Sequence, residues 1–207
     1  MDSAPEAIRK GRKYDQVLAG ARSVFLRDGF EGASVDDIAR EAGVSKATLY
    51  SYFPDKRLLF MEFAKAECRR QAEEGAAAVD MNRPAAEVLT DAARRMVAFL
   101  LSDFGMRVFR ICVAESDRFP ALGHEFYHSG PEVVRKKIAH FLHLAVERGE
   151  LAIEDVGLAA DQFHALCKGG LHDRVIFGIA PCCPAADIDQ TVREAVAMFL
   201  ARYGVRQ

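Results

Sequence analysis

The sequence predicts an all-α protein of about nine helices. Apolar residues recur at intervals of three and four along most of the chain, which is the spacing of one helix face. Glycine, proline or a serine cap stands where this periodicity breaks. The one strand-like run, residues 174–180, lies in a helical context and is therefore not expected to form a strand.

The first helix and the two short helices after it are well delimited. Apolar residues share one helix face over residues 17–25, and Gly29 can adopt the left-handed conformation that ends this helix. Ser34 and Ser45 are expected to be the N-caps of the second and third helices, because a serine hydroxyl accepts a hydrogen bond from a first-turn amide.

Longer helices follow in the rest of the chain. A kink is expected at Gly130-Pro131, because proline has no N–H for the helical hydrogen bond. The apolar stripe of the last helix is wider than one core requires, so we expect that helix to pack on a partner as well. The chain is predicted to divide into a head over residues 1–56 and a larger helical domain over residues 57–207. The expected helices after the third cover about 55–78, 84–102, 104–117, 120–149, 155–177 and 188–203.

Composition and charge exclude several classes of protein. The 207 residues are 50% hydrophobic and 28% charged, with a net charge of −2, which is typical of a globular chain and not of a disordered one. The apolar runs, such as residues 96–101, are too short to span a membrane, and residues 1–13 lack the apolar core of a secretion signal. We therefore expect a cytoplasmic protein with no membrane partner.

The five cysteines include no C-x-x-C pair and are expected to be free thiols. Adjacent Cys182 and Cys183 leave a redox role open. The alternative interpretation is that they are two small residues in a proline-flanked loop.

Residues 35–53 meet the physical requirements of a helix-turn-helix. Ala39 is small where two helices must cross, Gly43 tolerates the positive φ of the turn, and Val44 fills the space between the helices. The second of these helices presents hydroxyl groups and a lysine outward, and such groups bind the phosphates of DNA. Its aromatic residues could instead belong to a helical core, and Phe53 is expected in the core under either interpretation.

A small excess of positive charge flanks this motif. Lys46 and Lys56 stand at its two edges, and the arm before the first helix adds further basic residues. Such a surface suits the backbone of double-stranded DNA, with an affinity that falls as the salt concentration rises. The basic residues of the arm are Arg9, Lys10, Arg12 and Lys13.

The block SVDDIAREAGVSKATLYSYFPDKRLLF resembles the DNA-binding head of the tetracycline-repressor (TetR/AcrR) family. The resemblance covers about residues 14–60, where the Gly-Val-Ser turn, Thr-Leu-Tyr, Tyr-Phe and Lys56 stand at the family's spacing. It implies a homodimeric, all-α repressor whose first three helices bind operator DNA and whose fourth helix is a lever. The remaining helices would hold a small-molecule effector and form the dimer interface. Residues 115–151 resemble, more loosely, the C-terminal domain of an AefR-like subgroup.

The resemblance also implies roles for individual residues of the head. Effector binding is expected to move the fourth helix and so change the spacing of the two recognition helices. The residues expected to hold phosphates are Ser34, Ser45, Thr48, Tyr50 and Lys56. Those expected nearest the base edges are Lys46, Ala47, Ser51 and Tyr52.

The larger domain must supply both an effector pocket and a dimer interface if the resemblance holds. A packed helical core explains most of its apolar residues, so polar residues on apolar faces are the better pocket candidates. The candidates for the effector pocket are Phe99, Arg107, Glu115, His128, His164 and Arg174. The candidates for the dimer interface are Leu171, Val175, Val192, Val196, Phe199 and Leu200.

A zinc-dependent hydrolase is the alternative function, because His124-Glu125-x-x-His128 matches the H-E-x-x-H signature. Two histidines four residues apart on a helix could hold zinc, with Glu125 as general base. The sequence after His128 contains no third histidine at the metzincin spacing, so the third ligand would have to be a residue such as Glu147 or Glu150. We therefore expect no enzymatic activity, no cofactor and no resident metal.

Overall fold

The computed structural model describes residues 11–77, 79–180 and 183–205, except for the side chains of residues 76 and 122. Within these residues the protein is α-helical apart from turns, loops and one isolated bridge between Leu151 and Gly204. The all-α prediction is confirmed. No helix in this part of the chain is long and apolar enough to cross a membrane. The helices are α1 (Arg12–Gly32), α2 (Val35–Glu41), α3 (Lys46–Tyr52), α4 (Lys56–Ala77), α5 (Ala85–Leu100), α6 (Asp103–Glu115), α7 (Pro120–Ser129), α8 (Pro131–Glu147), α9 (Val156–Ile176) and α10 (Ala185–Tyr203).

The described residues form ten helices, one more than the approximate count from the sequence, because Gly130 divides the segment expected as one kinked helix. Its backbone lies outside the helical region, with φ −123° and ψ −82°. Pro131 begins α8 at the first helical position, where an N–H would have no partner in the helix. The strand-like residues 174–180 form the end of α9 and the turn after it, where Gly178 has φ 71°.

The chain forms two compact units, Met1–Glu67 and Cys68–Gln207, and the boundary between them falls inside α4. The first unit packs α1, α2, α3 and the first turns of α4 around an aromatic cluster. The ring centroid of Phe25 lies 5.1 Å from that of Phe60 and 5.6 Å from that of Phe63. This compact unit therefore includes the first turns of α4 as well as the head expected from the sequence.

The second unit has its core between α5, α8, α9 and α10. The ring centroids of Phe163 and Phe199 are 5.2 Å apart, and the Tyr203 hydroxyl donates a hydrogen bond to Gln162 Oε1 at 2.5 Å. One face of α10 is thus committed to the core of its own unit, whereas Met198 lies on the exposed face.

The cysteines of the described residues are free thiols, of which Cys68, Cys112 and Cys167 are buried and Cys183 is half-exposed. Burial raises the pKa of Cys112 and of Cys167 to about 12, because an apolar environment disfavours the thiolate. The open question of a redox role for Cys182 and Cys183 is not tested, since Cys182 lies outside the described residues.

Candidate nucleic-acid interface

The helix-turn-helix is built by two serine caps and one glycine turn. Ser34 Oγ accepts a hydrogen bond from the Asp37 amide at 3.0 Å, and Ser45 Oγ accepts one from the Thr48 amide at 3.1 Å. Gly43 has φ 63° in the turn between α2 and α3, where a side chain would be strained. The capping serines and the turn glycine expected from the sequence therefore define both short helices.

One face of α3 is buried and the opposite face is exposed. Leu49 is 1% exposed and Phe53, immediately after the helix, is 4% exposed, so both belong to the core of the head. Tyr50 is 47% exposed, and its hydroxyl group stands on the outer face. The other exposed residues of this segment are Ser45, Lys46, Ala47 and Ser51, with Thr48 and Tyr52 half-buried.

Some of the hydroxyl groups of the motif already donate their hydrogen within the protein, and others remain able to donate to DNA. Ser45 Oγ and Thr48 Oγ1 are 2.9 Å apart and share one hydrogen bond, which leaves one O–H of the pair able to donate outward. Ser51 Oγ donates to the Thr48 carbonyl at 2.7 Å. Ser34 Oγ donates to Asp37 Oδ2 at 2.5 Å and also caps α2, so its hydroxyl hydrogen is used within the head.

Lys46 is paired with an acidic residue of α2. Its Nζ lies 2.5 Å from Asp36 Oδ1, and both side chains are more than half exposed. The hydrogen bond from Lys46 to Asp36 raises the pKa of Lys46, so the side chain carries its full charge at neutral pH. Asp36 engages one of the three donors of Lys46, so the carboxylate competes with DNA for the charge of this lysine.

Tyr52 is oriented by α1. Its ring packs edge-on against Tyr14 at a centroid distance of 5.8 Å, and Phe53 lies 5.4 Å from the same tyrosine. The Tyr14 hydroxyl donates to Glu62 Oε1 of α4 at 2.7 Å. Tyr14 thus contacts the end of α3 and the start of α4 at once.

Lys56, half-buried at the first position of α4, directs its ammonium group into the head. Nζ donates to the carbonyl oxygen of Phe30 at 2.9 Å and to that of Ala33 at 3.0 Å. It also lies 4.4 Å from the centroid of the Phe30 ring. Two of the three donors of Lys56 are therefore engaged by residues 30–33, at the end of α1 and just after it.

Gly20 brings α1 against the turn of the motif. A Cβ atom at this position would lie 2.6 Å from the backbone nitrogen and 2.8 Å from the Cα atom of Ala42. Cβ atoms in proteins essentially never come within 3.0 Å of such atoms. The absence of a side chain at Gly20 is therefore a condition for the observed packing of α1 on the end of α2.

The H-E-x-x-H segment lies on the exposed surface of α7. His124, Glu125 and His128 are exposed, and His128 Nδ1 lies 2.8 Å from Glu132 Oε2. The hydrogen bonds from His128 and Lys136 lower the pKa of Glu132. Within the described residues, no three His, Cys, Asp or Glu side chains are grouped as metal ligands. The hydrolase alternative gains no support.

The six effector-pocket candidates divide by burial. Glu115 is buried, Phe99, Arg107 and His164 are half-buried, and the remaining two, His128 and Arg174, are exposed. Burial lowers the pKa of His164, and the nearby Lys168 lowers it further. The first four are therefore better placed than the exposed pair to meet a molecule inside the second unit.

The structure adds His172 of α9, which lies beyond the non-helical backbone of Gly169 from Lys168 and His164. Its side chain is 2% exposed, and burial lowers its pKa. Its ring packs edge-on against Phe109 of α6 at 5.0 Å, and within the described residues Nδ1 has no hydrogen-bond partner, with Asp173 Oδ1 at 3.6 Å. A buried nitrogen of this kind favours a polar group arriving from outside the chain.

Three of the six dimer-interface candidates lie in the core of their own unit. Val192, Val196 and Phe199 are 0%, 6% and 1% exposed, because α10 uses that face to cover α5 and α9. Leu171 is also buried, whereas Val175 and Leu200 are half-buried. An open groove of about 480 Å³ lies between α9 and α10 and is lined by Leu166, Gly169, Gly170, Leu171, Arg174, Asp187, Gln190, Thr191, Glu194, Ala195 and Met198.

Sequence reasoning missed Gly20, Asp36 and His172 for different reasons. Gly20 stands inside the apolar stripe of the first helix, which continues on both sides of it. The one available signal was the presence of a glycine within a helical pattern, which can mark a close approach of another part of the backbone. Asp36 has the ordinary appearance of an acid in the first turn of a helix. His172 stands eight residues after His164, a spacing that would place both on one face of an unbroken helix and is the signal that could have found it, although Gly169 interrupts α9 between them.

A trihelical head that exposes hydroxyl groups and a lysine on its third helix, followed by a separate helical unit, defines a DNA-binding regulator with a second domain. Residues 17–63 match the model of the bacterial regulatory proteins of the tetR family. Residues 87–205 match the C-terminal domain of AefR-like transcriptional repressors. The chain belongs to the tetR family of transcriptional regulators, which are not enzymes.

Solved structures and curated repressors show the same relationship. The flavonoid-responsive regulator FrrA is 36% identical, with a TM-score of 0.68, and the match covers 96% of this chain and 100% of that one. A TetR-family regulator from Mesorhizobium loti MAFF303099 is 27% identical with a TM-score of 0.75, over 95% and 99% of the two chains. The transcriptional repressor AcnR of Corynebacterium diphtheriae is 36% identical over 61 residues, which are 30% of this chain and 32% of AcnR. The chain thus covers about a third of the length of that repressor.

Proposed function

We propose that this protein is a homodimeric repressor that binds double-stranded operator DNA through the exposed face of α3 and leaves it when a small-molecule effector binds. The observation that carries the proposal is the exposed set of hydroxyl and ammonium groups on α3, held by a buried Leu49 beneath it. These groups are the ones that hold phosphates and reach base edges in a major groove. Operator DNA as the partner implies a cytoplasmic location.

Phosphate contacts are best assigned to Ser45, Thr48 and Tyr50. Ser45 and Thr48 together retain one O–H for an acceptor outside the chain, and the exposed Tyr50 adds a second. Ser34 and Lys56 direct their donors into the head, although one N–H of Lys56 remains.

Contacts with base edges are best assigned to the exposed residues of α3. Lys46 has donors left for a base or a phosphate, although Asp36 competes for its charge. Ala47 offers a methyl group suited to the thymine methyl group, and Ser51 a hydroxyl oxygen. Tyr52 has only part of its ring outside the head, because Tyr14 packs against it.

The dimer is proposed to form through α9 and α10 about a two-fold axis. Met198 is 59% exposed on α10, and Val175 and Leu200 are half-buried on the same two helices. An apolar face that remains open in one chain is covered when two copies pack as a four-helix arrangement. Two heads would then meet successive major grooves about 34–36 Å apart.

The effector is proposed to be a planar phenolic molecule. FrrA is flavonoid-responsive, and its similarity extends over nearly the whole of both chains. Half-buried Phe99, Arg107 and His164, with buried Glu115, offer an aromatic ring and polar groups for such a ligand. His172 adds a buried nitrogen without a partner in the described residues.

Fluorescence anisotropy with labelled DNA from the region upstream of the protein's own coding sequence tests the proposal. We expect binding that weakens steeply with salt, and release of the DNA by members of a flavonoid panel. Equal affinity for the upstream fragment and a scrambled duplex would refute operator binding. DNA binding that no member of the panel alters would refute the phenolic effector and leave the DNA-binding proposal standing.

A further inference from the structure

We infer that Lys56 is a positioning residue, which fastens residues 30–33, at the end of α1, to the start of α4, and that it supports DNA binding through this geometry and not through a phosphate. The inference deepens the proposed function and rests on it only for the DNA-binding readouts below. It begins from the two carbonyl oxygens, of Phe30 and Ala33, that Lys56 Nζ contacts at 2.9 Å and 3.0 Å.

The last turn of α1 has no basic residue of its own. Gly29 interrupts the helix with φ 69°. Carbonyl groups at a helix C-terminus carry partial negative charge and accept hydrogen bonds from cations. Lys56, 23 and 26 residues away along the chain, supplies such a cation from α4.

The aromatic cluster of the head contacts the same segment as Lys56, through the ring of Phe30. The Phe30 ring lies under the Lys56 ammonium at 4.4 Å and packs on Phe60 of α4 at a centroid distance of 5.0 Å. It also stacks on Phe25 of α1 at 6.2 Å. The ammonium group and the rings hold the same short segment. If Lys56 lost its contacts, the ring contacts of Phe30 would remain and the two carbonyl groups would be free to move.

The fastened segment leads directly into the DNA-binding motif. Ala33 is 2% exposed, and the next residue, Ser34, is the N-cap of α2. A shift of the Ala33 carbonyl would therefore shift the start of α2 and, through the turn at Gly43, the exposed face of α3. Lys56 thus acts on α3 through Ala33 and Ser34.

Four variants separate positioning from phosphate binding. Lys56→Met keeps the length and apolar stem but removes the donors, and Lys56→Arg restores donors and charge. Lys46→Met removes a cation from the exposed face of α3 and is the matched control for a phosphate contact. Val24→Ala, at a position 0% exposed in α1, is the control for reduced stability alone.

The measurements are thermal melting without DNA and anisotropy titrations of the upstream duplex over a salt series, at a temperature where every variant is folded. We expect Lys56→Met to lower the melting temperature by about 5 °C. It should also weaken DNA binding by one factor at every salt concentration, and Lys56→Arg should restore most of the melting temperature and of the affinity. Lys46→Met should instead reduce the slope of log affinity against log salt by about 0.9 for each phosphate that the variant no longer neutralises.

Three results would overturn the inference. They are a Lys56→Met melting temperature equal to that of the unchanged protein, a salt slope for Lys56→Met reduced like that of Lys46→Met, and a fall in affinity in Val24→Ala as large as that in Lys56→Met. If the unchanged protein shows no salt-dependent DNA binding, the proposed function fails, and the melting temperatures still decide whether Lys56 fastens the head.

Discussion

Replacement of Gly20 by alanine is predicted to destabilise the head, although alanine is the better helix former. In a helix interior alanine is favoured over glycine by about 1 kcal/mol. The added Cβ, however, would lie 2.6 Å from the nitrogen and 2.8 Å from the Cα atom of Ala42, in backbone that cannot rotate aside. Overpacking of this kind costs up to about 3 kcal/mol, so we expect a net decrease of about 2 kcal/mol in the free energy of unfolding.

Gly75→Ala provides the matched control for this substitution. Gly75 also lies in a helix, α4, but a Cβ at this position would meet nothing within 4 Å. We therefore expect Gly75→Ala to stabilise the protein by up to about 1 kcal/mol, which is the helix-propensity gain alone. The two glycine-to-alanine changes should have opposite signs.

Urea unfolding followed by circular dichroism measures both variants. Gly20→Ala should move the transition to lower urea and also weaken DNA binding, because relief of the clash displaces the turn between α2 and α3. A Gly20→Ala protein that unfolds at the same urea concentration as the unchanged protein, or higher, would refute the close approach of α1 to Ala42.

Three further predictions concern the charged and hydroxyl groups. Asp36→Asn removes the acidic partner of Lys46 and should raise DNA affinity about three-fold at low salt. The gain should disappear as the salt concentration rises. An unchanged affinity in anisotropy titrations would mean that the ion pair does not compete with DNA. Tyr50→Phe removes one exposed hydroxyl and should weaken binding about five-fold without altering the urea transition, and equal affinity would exclude a phosphate contact there. Burial lowers the pKa of His172 and of His164, so the unfolded chain binds more protons and the free energy of unfolding should fall as the pH drops below about 6.5. His172→Phe should flatten that pH dependence, and an equally steep profile in urea unfolding across this range would contradict it.

The helix-turn-helix could be predicted from the sequence because its determinants are local. Ser34 and Ser45 cap helices whose first turns begin one residue later, and Gly43 occupies the turn between them. Each of these residues acts on neighbours within three positions along the chain. Periodicity and capping therefore predict the motif, and the family resemblance follows from the same residues.

Contacts between distant parts of the chain could not be predicted in the same way. Lys56 meets Phe30 and Ala33 only because α1 and α4 pack together, and no spacing rule joins residues so far apart. What covers the wide apolar stripe of α10 could not be predicted either, because periodicity identifies an apolar face but not the element that packs on it. Val192 and Val196 are covered by their own unit.

The thiols of the second unit differ in exposure, so a thiol reagent can label one position and report on dimer formation. Cys112 and Cys167 stay protonated and enclosed at neutral pH, so alkylating reagents have little access to them. Cys183, which stands just before α10, is the one cysteine of the described residues that is not buried. A maleimide dye attached there would sit at the end of the helix proposed to meet the second copy. Energy transfer between differently labelled chains could then follow subunit exchange without an engineered cysteine.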